Sequence, residues 1–340
     1  YLTKKAYKSI INCGDNVFDV IAPCCIIIFH PNFSEKFNYL DLRDITRENK
    51  ALALSDKGYN FTFNEMLEVP HFVFQSSNLD NTIINLLRNK GVVLGDIALE
   101  VASGISTGGD KIFRVSSEDI SNLNLEKELL KPLLVGRQLV QFCQSDSGGY
   151  HIIYTTKKTD LRSFPNTMRY LSPYEEKLSN KRETQKGMIP WYSLHWPRKP
   201  ILFDENKIIL RQTSASIVAT KDSKGNYCLD SIIIIKFDKK YNTNLDYFVA
   251  ILNSNLLRYY YKLVTQEAGR VFPQVKPKKL KLLPLVLPKV VNPTIYEDIC
   301  ELSLQLREKY EEKLKMKLDD LVYEVYEVPI NIREFINSSS

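Results

Sequence analysis

Apolar positions along this chain follow two different periods, and each predicts its own kind of element. Short apolar runs and strict alternation predict strands. They occur at Cys24–Phe29, whose length suits a buried strand, and as shorter pieces at Leu40–Ile45 and Phe61–Phe63. Further strands are expected at Leu94–Val101, Ile112–Val115, Tyr150–Tyr154, Ile208–Gln212 and Ser231–Phe237. Three-four spacing predicts helices. In Asp80–Lys90, Ile83, Leu86 and Leu87 share a face, and Gly91 follows as a stop. A polar helix is expected over Pro173–Gln185. A stronger one covers Leu245–Val264, with Phe248, Ile251, Leu252, Tyr259 and Leu263 as its stripe. One long helix is expected over Ile295–Glu327, apolar at 299, 302, 306, 310, 314, 318, 321 and 325. Residues 1–70 read as the edge of an α/β domain, too small and loop-rich to be a complete doubly wound one.

Length and composition narrow the class. The 340 residues are 44% hydrophobic and 25% charged, which excludes a disordered chain, a collagen and a membrane bundle. No apolar run approaches the roughly 20 residues that a bilayer requires. The length is compatible with two domains, and the first residue, Tyr1, leads us to expect a piece of something longer. The six Cys show no C-x-x-C spacing and the four His (His30, His71, His151, His195) suggest no zinc framework. Buried free thiols in a cytosolic protein are the simpler expectation.

The net charge of +6 hides an asymmetry. Between Thr155 and Lys289 there are 25 Lys+Arg against 11 Asp+Glu, a net of +14; the rest carries −8. A basic middle with interleaved aromatics favours a polyanion, nucleic acid first, over a set of unrelated solvated lysines.

Candidate motifs differ in what they support. Gly104-Ile-Ser-Thr-Gly-Gly-Asp-Lys111 could cradle a phosphate, but Asp110 stands where a P-loop needs Lys, so a turn between strands is the plainer reading. Acidic-x-Lys triplets begin at Glu48, Glu175, Glu205, Asp222, Asp238 and Glu311, no more than composition explains, and a metal nuclease is a minor alternative. Asn-Pro-Pro-aromatic and a glycine-rich cofactor loop after a leading strand are absent. Trp191, Tyr192 and Trp196 lie among Arg182, Arg198 and Lys199, a mix that suits base stacking or an aromatic core. Tyr259-Tyr-Tyr-Lys262 should place one or two rings in the core and the others at the surface. Arg270, Gln274, Lys276, Lys278, Lys279 and Lys281 suit phosphates and, in part, base edges.

Six segments, in order, resemble the C-terminal specificity domain of Taq-type DNA adenine-N6 methyltransferases, the module that also closes type IIG restriction-modification enzymes. They are Leu94-Gly-Asp-Ile with Gly104–Phe113; Leu130-Lys-Pro-Leu-Leu-Val-Gly-Arg137; Tyr170–Leu178 with Arg182 and Trp191–Leu194; Leu245–Ser254; Lys281–Leu285; and Leu318–Tyr326. The resemblance spans about residues 94–326. Val17–Ile21 and the strand after it resemble the last part of the methyltransferase domain that precedes this module.

The resemblance implies an α+β fold: a curved, mostly antiparallel sheet with packed helices, an N-terminal remnant of an α/β methyltransferase domain, and a long C-terminal helix. The expected divisions are 1–70 for the methyltransferase edge and linker, 71–290 for target recognition and 291–340 for the helical end. The implied role is recognition of double-stranded DNA, with S-adenosylmethionine, and Mg if a nuclease domain is present, serving upstream domains of a cytoplasmic parent enzyme. This chain is expected to hold no catalytic or metal residues, to avoid membranes and to be monomeric. The expected DNA contacts are Thr107, Gly108, Gly109, Lys111, Arg182, Arg198, Lys199, Arg211, Gln212, Arg270, Gln274 and Lys276, with Arg and Gln reading the major groove and Lys anchoring phosphates. An RNA- or other polyanion-binding module and a self-contained nuclease are the competing readings.

Overall fold

The computed structural model describes residues 7–20, 22–29, 36–43, 45–56, 58–62, 78–145, 149–241, 244–265 and 274–338. They form two compact units. One takes 1–89, 259–273 and 329–340; the other takes 90–258 and 274–328.

In the first unit, β1 (Tyr7–Gly14), β2 (Cys24–Phe29), β3 (Lys36–Asp41) and β4 (Tyr59–Thr62) form a sheet of order β2-β1-β3-β4. The β1–β3 pair is parallel and the other two pairs are antiparallel. Alternation sorts Tyr7, Phe37, Tyr39 and Phe61 into a small aromatic core. β2 departs from the sequence expectation. It is a strand, but at the sheet edge, and Ile26, Ile27, Ile28 and Phe29 are all exposed. A continuous apolar run implies burial on both faces, yet here these four side chains stay 41–53% exposed, with Phe29 against the Tyr7 ring. The helix Asn78–Lys90 matches its expected span and buries Ile83 and Leu87. All three rings of Tyr259-Tyr-Tyr261 are buried, rather than one or two of them. The Tyr259 hydroxyl donates to Asp80 Oδ1 at 2.7 Å.

The second unit contains β5 (Val92–Val93), β6 (Ala98–Ser103), β7 (Arg114–Ser116), β8 (Leu130–Leu134), β9 (Tyr150–Ile153), β10 (Lys207–Arg211), β11 (Ala219–Asp222), β12 (Tyr227–Cys228), β13 (Ile232–Phe237) and β14 (Pro284–Leu285). They make two four-stranded sheets, β11-β10-β13-β6 and β12-β8-β9-β7, and the short pair β14-β5. The first sheet is antiparallel throughout; the second has one parallel pair, β12–β8. This is the mixed α+β architecture with open, mostly antiparallel sheets that the sequence implied.

Several expected elements are subdivided. Leu94–Ile97 is a helical turn, and the strand starts at Ala98; Asp110–Phe113 is likewise a turn of helix ahead of β7. The segment 172–185 forms three short pieces, not one helix. The C-terminal helix is two, Pro293–Glu308 and Glu312–Val325, because Lys309 to Glu311 are extended or irregular. The buried face restarts after the break, at Lys315, Leu318 and Val322, instead of continuing at 310 and 314.

The helix expected over 245–264 is also broken, and its break holds a strand in place. Leu245–Asn253 is buried on every side and packs on β10 and β11. Ser254 is extended, and its Oγ accepts from the Leu257 N–H at 3.2 Å, starting the helix Asn255–Thr265. Asn253 thereby turns its amide onto the edge strand β11. Its Oδ1 accepts from the Ala219 N–H at 3.0 Å, and its Nδ2 donates to the Ala219 carbonyl at 2.8 Å. At the far end of that strand, the fully buried pair Lys207–Asp222 links β10 to β11, and Lys207 Nζ also donates to the Phe203 carbonyl at 2.8 Å.

Asn253→Leu keeps the side-chain volume and strands the buried Ala219 N–H, while the Ala219 carbonyl keeps the Phe142 N–H at 3.0 Å. It is expected to lower stability by about 1–3 kcal/mol, read as a lower urea midpoint at unchanged slope. An unchanged midpoint would show that β11 does not depend on this amide.

Candidate nucleic-acid interface

The glycine-rich segment after β6 begins with a close crossing. A Cβ on Gly104 would lie 2.3 Å from the carbonyl oxygens of Cys228 and Leu229, so only glycine permits the approach. The Gly104 N–H donates to the Ile232 carbonyl at 2.9 Å, and the Ile105 N–H to Cys228 at 2.7 Å. Gly108 has φ +76°, and a Cβ there would meet Lys181 Cδ at 2.6 Å. Thr107 is buried; its hydroxyl donates to Asp110 Oδ1 and accepts from the Gly109 N–H at 2.9 Å. The loop is therefore internally satisfied, and Lys111 is its exposed cation.

A second segment packs along this loop. Ser106 and Trp196 exchange backbone hydrogen bonds of 3.2 and 2.7 Å. His195 Nε2 lies 2.8 Å from Glu183 Oε2, and its Nδ1 lies 3.4 Å from Ser106 Oγ. Lys181 Nζ donates to the carbonyls of Trp191 and Ser193; burial pushes its pKa down to about 8. Arg198 adopts φ +63°, a costly conformation for a non-glycine residue. Its Nε donates to the Gly104 carbonyl at 3.0 Å, and its guanidinium carbon sits 5.7 Å from the centre of the Trp196 ring. Burial pulls the Arg198 pKa down, opposed by the carboxylates of Glu100 and Asp230. Trp196 is 55% exposed, whereas Trp191 and Tyr192 pack against the core.

Beside this cluster lies a concave pocket of about 280 Å³, lined by Asp110, Arg114, Val135, Gly136, Arg137, Arg211, Thr213, Leu229 and Ser231. Adjacency follows from Asp230, whose pKa is raised by burial and then by Asp110, and lowered by Arg198. Arg114 and Arg137 pack on the Tyr150 ring at 4.9 and 5.7 Å, and Arg137 Nη2 donates to the Tyr150 hydroxyl at 2.7 Å. Arg211 ends β10.

Thr107, Gly108, Gly109, Lys111 and Arg198 thus lie on or against one loop, and Arg211 lines the adjoining pocket. Lys199 is exposed next to Arg198. The Gln212 carbonyl accepts from the Val275 N–H at 2.8 Å, and Thr213 and Gln274 are bridged, which brings the backbones of Gln212 and Gln274 together. Arg182 is exposed on the short helix Arg182–Gln185. Arg270 lies outside the described residues. Sequence reasoning missed Arg114, Arg137, Tyr150 and His195. The available signal was that Arg137 ends one quoted motif and Arg114 directly follows another. Of the acidic-x-Lys triplets, Asp222 is committed to Lys207 and to the Asn226 amide. Among the described residues no group of three His, Cys, Asp or Glu is arranged to hold a metal.

Residues 146–285 match the family model of the TaqI-like C-terminal specificity domain. The quoted segments Gly104–Phe113 and Leu130–Arg137 precede that span, in the same compact unit. Among solved structures, the type IIL restriction-modification enzyme MmeI in complex with DNA is similar over 98% of this chain and 45% of its own, with a TM-score of 0.51 and 11% identity. The type IIG restriction endonuclease BpuSI aligns over 96% of this chain and 45% of its own, with a TM-score of 0.42 and 12% identity. This chain spans less than half the length of either. At 11% identity the MmeI likeness speaks to the fold.

Lys181 supplies a pH test of the packing around Gly108. Its folded pKa lies below the unfolded lysine value, so between about pH 8 and 10 the unfolded state binds more protons. Wild-type stability relative to Lys181→Met should be flat below pH 7 and rise from pH 8 to 10, as read by melting temperatures. A flat difference across that range would mean that Lys181 is not desolvated.

Proposed function

We propose that this chain, which carries a TaqI-like C-terminal specificity domain at residues 146–285, is the sequence-selecting module of a restriction-modification DNA adenine-N6 methyltransferase. It binds duplex DNA and directs methylation or cleavage performed by other domains of a cytoplasmic parent protein. One observation carries the reading: the rigidly held Trp196–Arg198 pair, an exposed indole with a guanidinium over it, beside the Gly104–Lys111 loop. A preorganised aromatic and cation at a strained backbone position suits contact with a nucleic acid. Arg198, Lys199, Lys111 and Lys276 serve phosphates in this reading, and Gln212 and Gln274 serve base edges. The motifs that hold S-adenosylmethionine are absent from the sequence, so no residue of this chain is assigned to that cofactor, and none to Mg. The unit is taken to act as a monomer.

Two measurements test this reading. Duplex DNA should bind more tightly than RNA of equal length at every salt concentration, and tighter RNA binding throughout would contradict it. Lys276→Ala should weaken binding evenly across DNA sequences and reduce the slope of log K against log salt by about one. A loss restricted to certain sequences would make Lys276 a base reader.

A further inference from the structure

The pocket between Arg114, Arg137 and Arg211 holds three guanidinium groups against one carboxylate, Asp110, which already accepts from the Thr107 hydroxyl. Two of these cations pack on one tyrosine ring, so like charges are held close together on a partly desolvated surface. Such an arrangement is relieved by an anion. Arg211 is half-buried, and among the described residues its guanidinium forms no hydrogen bond or ion pair. Ser231 Oγ accepts from the Gly136 N–H at 3.1 Å, which leaves its hydroxyl hydrogen available to an acceptor. The floor of Val135 and Leu229 is apolar, which strengthens any charge pairing made above it.

We propose that this pocket seats one backbone phosphodiester of the bound DNA and so fixes the register of the protein on the duplex. The proposal rests on the DNA-binding reading and adds a named anchor to it. A base edge fits the pocket less well. A guanine could satisfy one arginine through its two acceptors, but it is neutral and would leave the other two cations opposed. A phosphodiester supplies the charge and a fork of oxygens that suits guanidinium donors.

The test uses the full chain and a duplex selected from a randomised pool for binding to it. Each phosphate is replaced in turn by a neutral methylphosphonate. With wild type, one linkage should cost about tenfold in affinity when neutralised, the scale of a charge-assisted hydrogen bond. With Arg137→Gln or Arg211→Gln, the same replacement should cost less than about twofold, and the salt slope should fall by about one. Arg211→Lys, which keeps the charge, should retain the slope, which separates an electrostatic role from misfolding. An unchanged slope in the glutamine variants, with a loss confined to one base pair, would overturn the phosphate assignment. So would a methylphosphonate penalty independent of both arginines. If wild type binds no duplex, the DNA-binding reading falls, and inorganic phosphate judges the pocket. Phosphorus NMR broadening by wild type and not by Arg211→Gln would uphold an anion site, and no broadening by wild type would overturn it.

Discussion

The second unit depends on one close approach, the passage of Gly104 beneath the carbonyls of Cys228 and Leu229. It joins the two four-stranded sheets: β6 belongs to one, and the residues just beyond Gly104 bridge to the end of β12 in the other. The Ile105 and Asp230 N–H groups are satisfied across this seam at 2.7 and 2.8 Å, so a side chain at 104 would separate the sheets and strand buried donors. The proposed DNA-binding surface is assembled around the same seam. Arg198 anchors on the Gly104 carbonyl, and Leu229 and Ser231 line the arginine pocket. Asp110 enters that pocket from the loop that Gly104 begins. One backbone constraint therefore places both the aromatic–cation pair and the pocket.

Polar groups inside the unit fix the positions of the strands that carry the site. Asn253 acts as a substitute strand for Ala219, and Lys207–Asp222 closes the other end of β11. A buried ion pair need not add net stability, because desolvation offsets its Coulomb gain. Its effect here is on register: Lys207 and Asp222 are direct partners across β10 and β11. Arg211 at the end of β10 inherits that register. The exposed cations contribute little to folding and are available for a polyanion.

Periodicity made the element types legible, and less so their limits. β9, β10, β13 and the helix Asn78–Lys90 lie close to where alternation or three-four spacing puts them. The long helices were overextended because a stripe of apolar residues persists across Ser254 and across Lys309–Glu311, while the breaks are set by capping and by tertiary bonds. The apolar run of β2 suggested burial, since sequence carries the hydrophobicity of a strand and not its place in a sheet. In the site, the glycine loop and Arg198 could be read from composition and spacing. The arginine pocket could not, because Arg114, Arg137 and Arg211 are far apart in sequence and meet only when the sheets join at Gly104. The motif order did point to the specificity domain that residues 146–285 match.

Hydrogen exchange of the full chain with and without the selected duplex locates the DNA-bound surface without substitutions. Amide protection gained on DNA binding should gather at residues 104–114, 136–138, 195–199 and 211–213. Saturating DNA that leaves these segments unprotected, or that protects only residues 7–62, would contradict this placement of the DNA-binding surface.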